Sequence, residues 1–138
     1  MNTLIIIMFI AIVMIGLGLL VVISLTRRGG SVLNQDKYRS EWMKIMSSVT
    51  DDSRSWQFAV LSADKLLDQA MRERGISGET MGDRLKNATS QLSGIDRVWT
   101  VHKLRNRIAH ESNVAVSRRQ AGEALKVFKR ALADLGAL

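Results

Sequence analysis

The sequence predicts an all-α protein: an N-terminal transmembrane helix followed by a four- to five-helix bundle. Three observations carry this. Residues 4–25 form a run of 22 residues with no charge and one mildly polar side chain, Ser24. Beyond it, apolar residues recur at three- and four-residue spacing between helix-capping signals, with no strand-length alternation to compete. Proline is absent and only 5% of residues are aromatic, which favours helices over a sheet.

Taken in order, the apolar run rises about 33 Å as a helix, the depth of a bilayer's hydrocarbon core. A cleaved signal peptide would carry a basic n-region and a shorter apolar stretch, whereas Met1-Asn2-Thr3 is uncharged and Arg27-Arg28 follow the run directly. The expectation is therefore an anchor over 1–26. Its flanking arginines place the C-terminal side in the cytoplasm and the N-terminus outside. Gly16 and Gly18 stand two apart, not at the four-residue spacing of a helix-packing face, and read as ordinary anchor glycines. Residues 27–34, with Gly29-Gly30-Ser31, lack periodicity and read as a juxtamembrane linker.

The domain expected over 35–138 starts with a helix across 36–49, whose apolar face would be Tyr38, Trp42, Ile45, Met46 and Val49. A second begins near Ser53, carries Trp56, Val60, Ala63, Leu67, Ala70 and Met71, and stops at Gly75. Thr80 with Asp83 forms a capping-box pattern opening a helix that runs through Leu85 and Ala88 to Leu92. A fourth carries Ile95, Val98, Trp99, Val101, Leu104 and Ile108. Ser117 with Gln120 is a second capping box, for a last helix lined by Ala121, Leu125, Phe128, Leu132 and Leu135.

Composition also excludes chemistry. Without cysteine there is no disulfide, no thiolate zinc site and no thiol nucleophile. Two histidines and scattered acids show no metal-ligand spacing, so neither metal nor cofactor is expected. The net charge of +7 is concentrated: residues 97–130 hold nine Lys/Arg against Glu111 and Glu123. Such a block attracts phosphate, whether of nucleic acid or of an anionic leaflet. The tryptophans sit at helical spacing among aliphatic residues and read as core before base-stacking platforms.

The chemical signal lies in Leu104-Arg105-Asn106-Arg107-Ile108-Ala109-His110-Glu111. A guanidinium clamps phosphate through a two-pronged fork, and an imidazole exchanges protons at neutral pH. Those are the tools of metal-free RNA cleavage, in which a ribose 2′-OH attacks its own phosphate. On an ideal helix His102, Asn106 and His110 form one stripe, while Arg105 sits about 140° away from His110. Two facing chains could bring an Arg and a His together where one chain does not, so a homodimer is expected. The plainer alternative stands beside this: His110 caps helix carbonyls, Arg107 pairs with Glu111, and Arg105 is solvated. His102, beside Val101 and Leu104, reads as a boundary histidine rather than a proton carrier.

Arg-Asn-x-x-Ala-His near the end of the penultimate helix resembles the Arg-x4-6-His signature of HEPN domains, which are small helical bundles. The resemblance covers about residues 38–135. It implies a homodimer with the motifs at the interface and metal-independent endoribonuclease activity, with Arg105 and His110 in the catalytic positions and Asn106 as the polar residue orienting them. The competing expectation is a non-catalytic membrane-tethered module that binds a cytoplasmic protein partner, a nucleotide or anionic lipid through its basic face.

Overall fold

The computed structural model describes residues 2–27 and 30–138, and the chain divides into an N-terminal unit and a bundle spanning 31–138. Helix α1, Asn2–Arg27, makes up the first unit. Over Thr3–Ile23 it is long and apolar enough to cross a membrane, and its side chains there are exposed all round. A helix apolar on every face has no wet side to offer, which suits hydrocarbon. In the stretch expected as a linker, residues 28 and 29 lie outside the described residues.

The bundle contains five helices among the described residues, the upper end of the range expected: α2 Gln35–Ser47, α3 Ser53–Glu73, α4 Met81–Asn87, α5 Ile95–His110 and α6 Arg118–Asp134. Each begins at a residue able to satisfy or open its first turn. Asn34, Asp52, Thr80 and Ser117 accept backbone N–H groups through their side chains, and both anticipated capping boxes form. Gly94, in the left-handed region at φ 69°, reverses the chain into α5.

Helix α3 is the hub: it packs on α2, α4, α5 and α6, and α5 also packs on α6. The amphipathic stripes of α3 and α6 face one another and meet in a core of Val60, Leu67, Met71, Phe128 and Leu132, all buried. The core reaches back before α2, where Leu33 is buried and the Ser31 hydroxyl donates to the Glu73 carbonyl.

Two elements depart from the spacing. Helix α2 buries Tyr38 and Trp42 only; Met46, expected on its apolar face, is 41% exposed. The reason is that α2 packs chiefly on α3, which covers a narrow stripe. Helix α4 ends at Asn87 instead of continuing to Leu92. From Ala88 the chain turns, with Gln91 and Leu92 N–H groups donating to the Ala88 carbonyl, so that Leu92 still enters the core. Ser93 is then fastened to α6 by two hydrogen bonds, from its N–H and hydroxyl, to Asp134 Oδ2 at 2.8 and 2.6 Å. The turn before α4 is equally constrained: a Cβ on Gly78, at φ 151°, would stand 2.6 Å from the Arg84 backbone nitrogen.

Three side chains make stability depend on pH. Burial, with the negative charge of Glu73 nearby, pushes the Tyr38 hydroxyl well above the ordinary phenol value. A raised value means the neutral form is favoured in the fold, so this contribution is intact below about pH 10 and is lost as pH climbs beyond it. Hydrogen bonds from Lys37 and then Gln69 hold Glu73 below the usual carboxylate range, and the Thr80 side chain does so for Asp83. Depressed carboxylates contribute above about pH 4 and cease to as pH falls through their lowered values. Melting temperature should therefore decline on both sides of a broad plateau, and Tyr38→Phe should flatten the alkaline decline. An unchanged alkaline limb in that variant would show that burial of the phenol is not its source.

Candidate functional site

Asp64 occupies a core-facing position on α3, in the stripe that also carries Val60, Ala63 and Leu67, and it is 3% exposed. A carboxylate in that place must be partnered, because isolated burial of a charge is too costly. Its partners come from α5. His102 Nδ1 lies 2.8 Å from Asp64 Oδ1, and Arg105 Nε lies 3.2 Å from Oδ2. Asn106, one turn beyond His102, places its Nδ2 3.3 Å from His102 Nε2, and Arg105 Nη1 donates to Asn106 Oδ1 at 3.0 Å.

Three hydrogen bonds and the Arg105–Asp64 ion pair close a ring of four side chains, and the hydrogen bonds assign the protons. Arg105 can only donate, so Asn106 must present its oxygen there and its amide N–H₂ toward His102. Nε2 of His102 then accepts, and Nδ1 carries the hydrogen donated to Asp64. Trp99 stands edge-on to the imidazole, ring centres 6.0 Å apart and planes at 75°, and holds its orientation.

This ring forms one wall of an open cavity of about 720 Å³ between α3, α4 and α5, also lined by Phe58, Lys65 and Met81. Phe58, 61% exposed, is the large apolar residue at its mouth. Asp68, one turn along α3, reaches the same cavity but is committed to Arg84 Nε at 2.7 Å and Arg72 Nη2 at 2.8 Å. Arg84 is itself buried and also donates to the Gly78 carbonyl, so that cluster ties the turn before α4 to α3.

Of the motif residues, Arg105 and Asn106 line this cavity, and His110 does not. His110 is exposed at the end of α5 and lines a separate concavity of about 500 Å³ with Arg54, Gln57 and Glu111. Arg107 reaches Glu111 at 3.6 Å, the helical pairing anticipated. Within one chain, then, Arg105 and His110 line two different concavities, which share Ala109 between them. Sequence reasoning passed over Asp64 and set His102 aside. The available signals were an acid at a core position of α3 and a histidine four residues before Asn106. Among the described residues, no three His, Asp or Glu side chains gather as a metal site.

Across the helix, α5 and α6 enclose a groove of about 530 Å³ with a floor of Val101, Leu104 and Val127 and basic residues Arg97, Lys103 and Arg119. Glu123, also in its lining, is engaged by Lys126 at 3.0 Å.

No family model matches this sequence, and no curated protein or solved structure matches it.

Proposed function

We propose that the chain is a membrane-anchored, HEPN-like endoribonuclease, with its bundle on the cytoplasmic side, that cleaves RNA without a metal as a homodimer. The observation that carries this reading is the wall formed by Arg105 and Asn106 at an open cavity, held in place by Asp64 and His102. Arg105 supplies charge for the pentacovalent phosphate, Asn106 orients it, and His110 of a second copy supplies proton transfer. What favours a second copy is that Arg105 and His110 of one chain line different concavities. Phe58, exposed beside the cavity, offers apolar area for that contact.

The test is cleavage of a mixed-sequence RNA by the full chain in detergent micelles with excess EDTA. Cleavage leaving 2′,3′-cyclic phosphate ends, reduced by about 100-fold or more in His110→Ala at unchanged melting temperature and in Arg105→Ala assayed below its own, lowered melting temperature, is the expected result. Mixing the two inactive variants should restore part of the activity, since mixed dimers rebuild one complete site. A folded wild-type chain that leaves RNA intact, or one that sediments as a monomer while cleaving, defeats the dimeric ribonuclease.

A second reading is favoured by the α5/α6 groove: a tethered module that captures an anionic partner on a basic rim over an apolar floor. Arg97→Glu combined with Arg119→Glu is expected to weaken binding of a labelled, uncleavable 2′-deoxy oligonucleotide by about tenfold or more, with a shallower salt dependence. Unchanged binding would remove the groove from consideration.

A further inference from the structure

RNA cleavage by the adjacent 2′-OH moves two protons. As the 2′-oxygen forms its bond to phosphorus, its proton must pass to a base. As the bond from phosphorus to the 5′-oxygen breaks, that oxygen must take a proton from an acid. One imidazole, His110, leaves one of these transfers unassigned, and the chain has two histidines.

We infer that His102 is the second proton-transfer group, accepting the 2′-OH proton at Nε2, while His110 of the second copy protonates the departing 5′-oxygen. The inference rests on the ribonuclease reading above and adds a residue and a division of labour to it. Four observations carry it. His102 lines the same cavity as Arg105 and Asn106, the cavity in which a phosphate held by Arg105 would sit. Its Nδ1–H is spent on Asp64 at 2.8 Å, which leaves the lone pair on Nε2, the nitrogen a base needs. Nε2 is met by one hydrogen bond from Asn106, at 3.3 Å, beyond the span of about 2.7–3.2 Å for N–H···O bonds. A substrate hydroxyl can take that donor's place, with Asn106 still held by Arg105. Finally, Asp64 and Trp99 fix the ring, so no orientation has to be found when substrate arrives.

The charged groups facing this imidazole are few. From α3 come Asp64, in contact, and Lys65 and Asp68 in the cavity lining, Asp68 being neutralised by Arg72 and Arg84. From α5 comes Arg105, and α4 contributes to the lining only Met81 and Gly82. Asp64 is therefore the carboxylate able to stabilise an imidazolium formed by proton capture, a role that orients and supports a base without itself changing protonation.

The roles separate on an RNA whose scissile 5′-oxygen is replaced by sulfur, a leaving group that departs without an acid. Using the full chain in micelles with EDTA, His110→Ala is expected to lose about 100-fold or more on the oxygen substrate and to recover to within about tenfold of wild type on the sulfur substrate. His102→Gln, with its melting temperature checked, is expected to stay down by about 100-fold on both. The rate of His110→Ala on the sulfur substrate should retain its ascending limb with pH, because His102 is then the one imidazole left. That profile needs no change at His102 and decides the matter should His102→Gln fail to fold. Recovery of His102→Gln on sulfur, wild-type rates in that variant, or a His110→Ala profile without an ascending limb would each overturn the assignment while leaving the ribonuclease standing. A wild-type chain inert on both substrates overturns the ribonuclease itself, and this inference with it.

Discussion

Alanine in place of Phe128 is expected to cost the bundle about 3–5 kcal/mol. Phe128 is fully buried on α6 where that helix meets α3, the most extensive helix pairing in the bundle. Truncation removes the ring's transfer free energy and leaves a void bounded by elements that cannot collapse into it. Helix α6 is held at both ends, by the Ser117 capping box and by the Ser93 bonds to Asp134. For a domain of this size the melting temperature should fall by about 12–20 °C. Thermal unfolding of the full chain followed by circular dichroism would read this directly. A fall of only a few degrees would mean that α3 and α6 repack freely, and that their interface is less close-knit than its burial implies.

The second large effect is expected at Asp64. Alanine there removes the acceptor of His102 Nδ1 and the carboxylate facing Arg105, for an expected loss of about 2–4 kcal/mol. Asparagine keeps the shape and one acceptor oxygen, and should lose about half as much. The measurement is a pair of melts, with Arg105→Ala combined with Asp64→Ala as the double variant. If the ring is cooperative, the two losses will not add, because the second substitution removes a partner already orphaned by the first. Strict additivity would show that Asp64 serves His102 alone. The comparison also bears on chemistry, since a ring that loosens without Asp64 no longer holds Arg105 and Asn106 against the cavity.

The places where reading the chain succeeded and where it did not follow one distinction. The segment 4–25, the starts of all five bundle helices and both capping boxes were legible, because each depends on residues within a few positions of one another. Asn106 and His102 were visible as a stripe for the same reason. The ends of α2 and α4 were less so: Met46 keeps helical spacing but has no neighbour to cover it, and Leu92 reaches the core through a turn instead of a helix. No local pattern states how many helices will rest against a given face.

What the sequence by itself determined, then, is the class of the fold and the content of its elements: an apolar helix long enough for a bilayer and a bundle of capped amphipathic helices with Arg105, Asn106 and His110 near the end of one. What only the tertiary structure decided is which side chains meet. Asp64 and His102 are 38 residues apart, and they became partners because α3 packs across α5. The same packing turned Arg105 and Asn106 toward that pair and left His110 lining a separate concavity. Capping and periodicity are short-range and are written in adjacent residues. The pairing of a buried acid with a histidine depends on which faces exclude water together, and that is settled when the helices assemble.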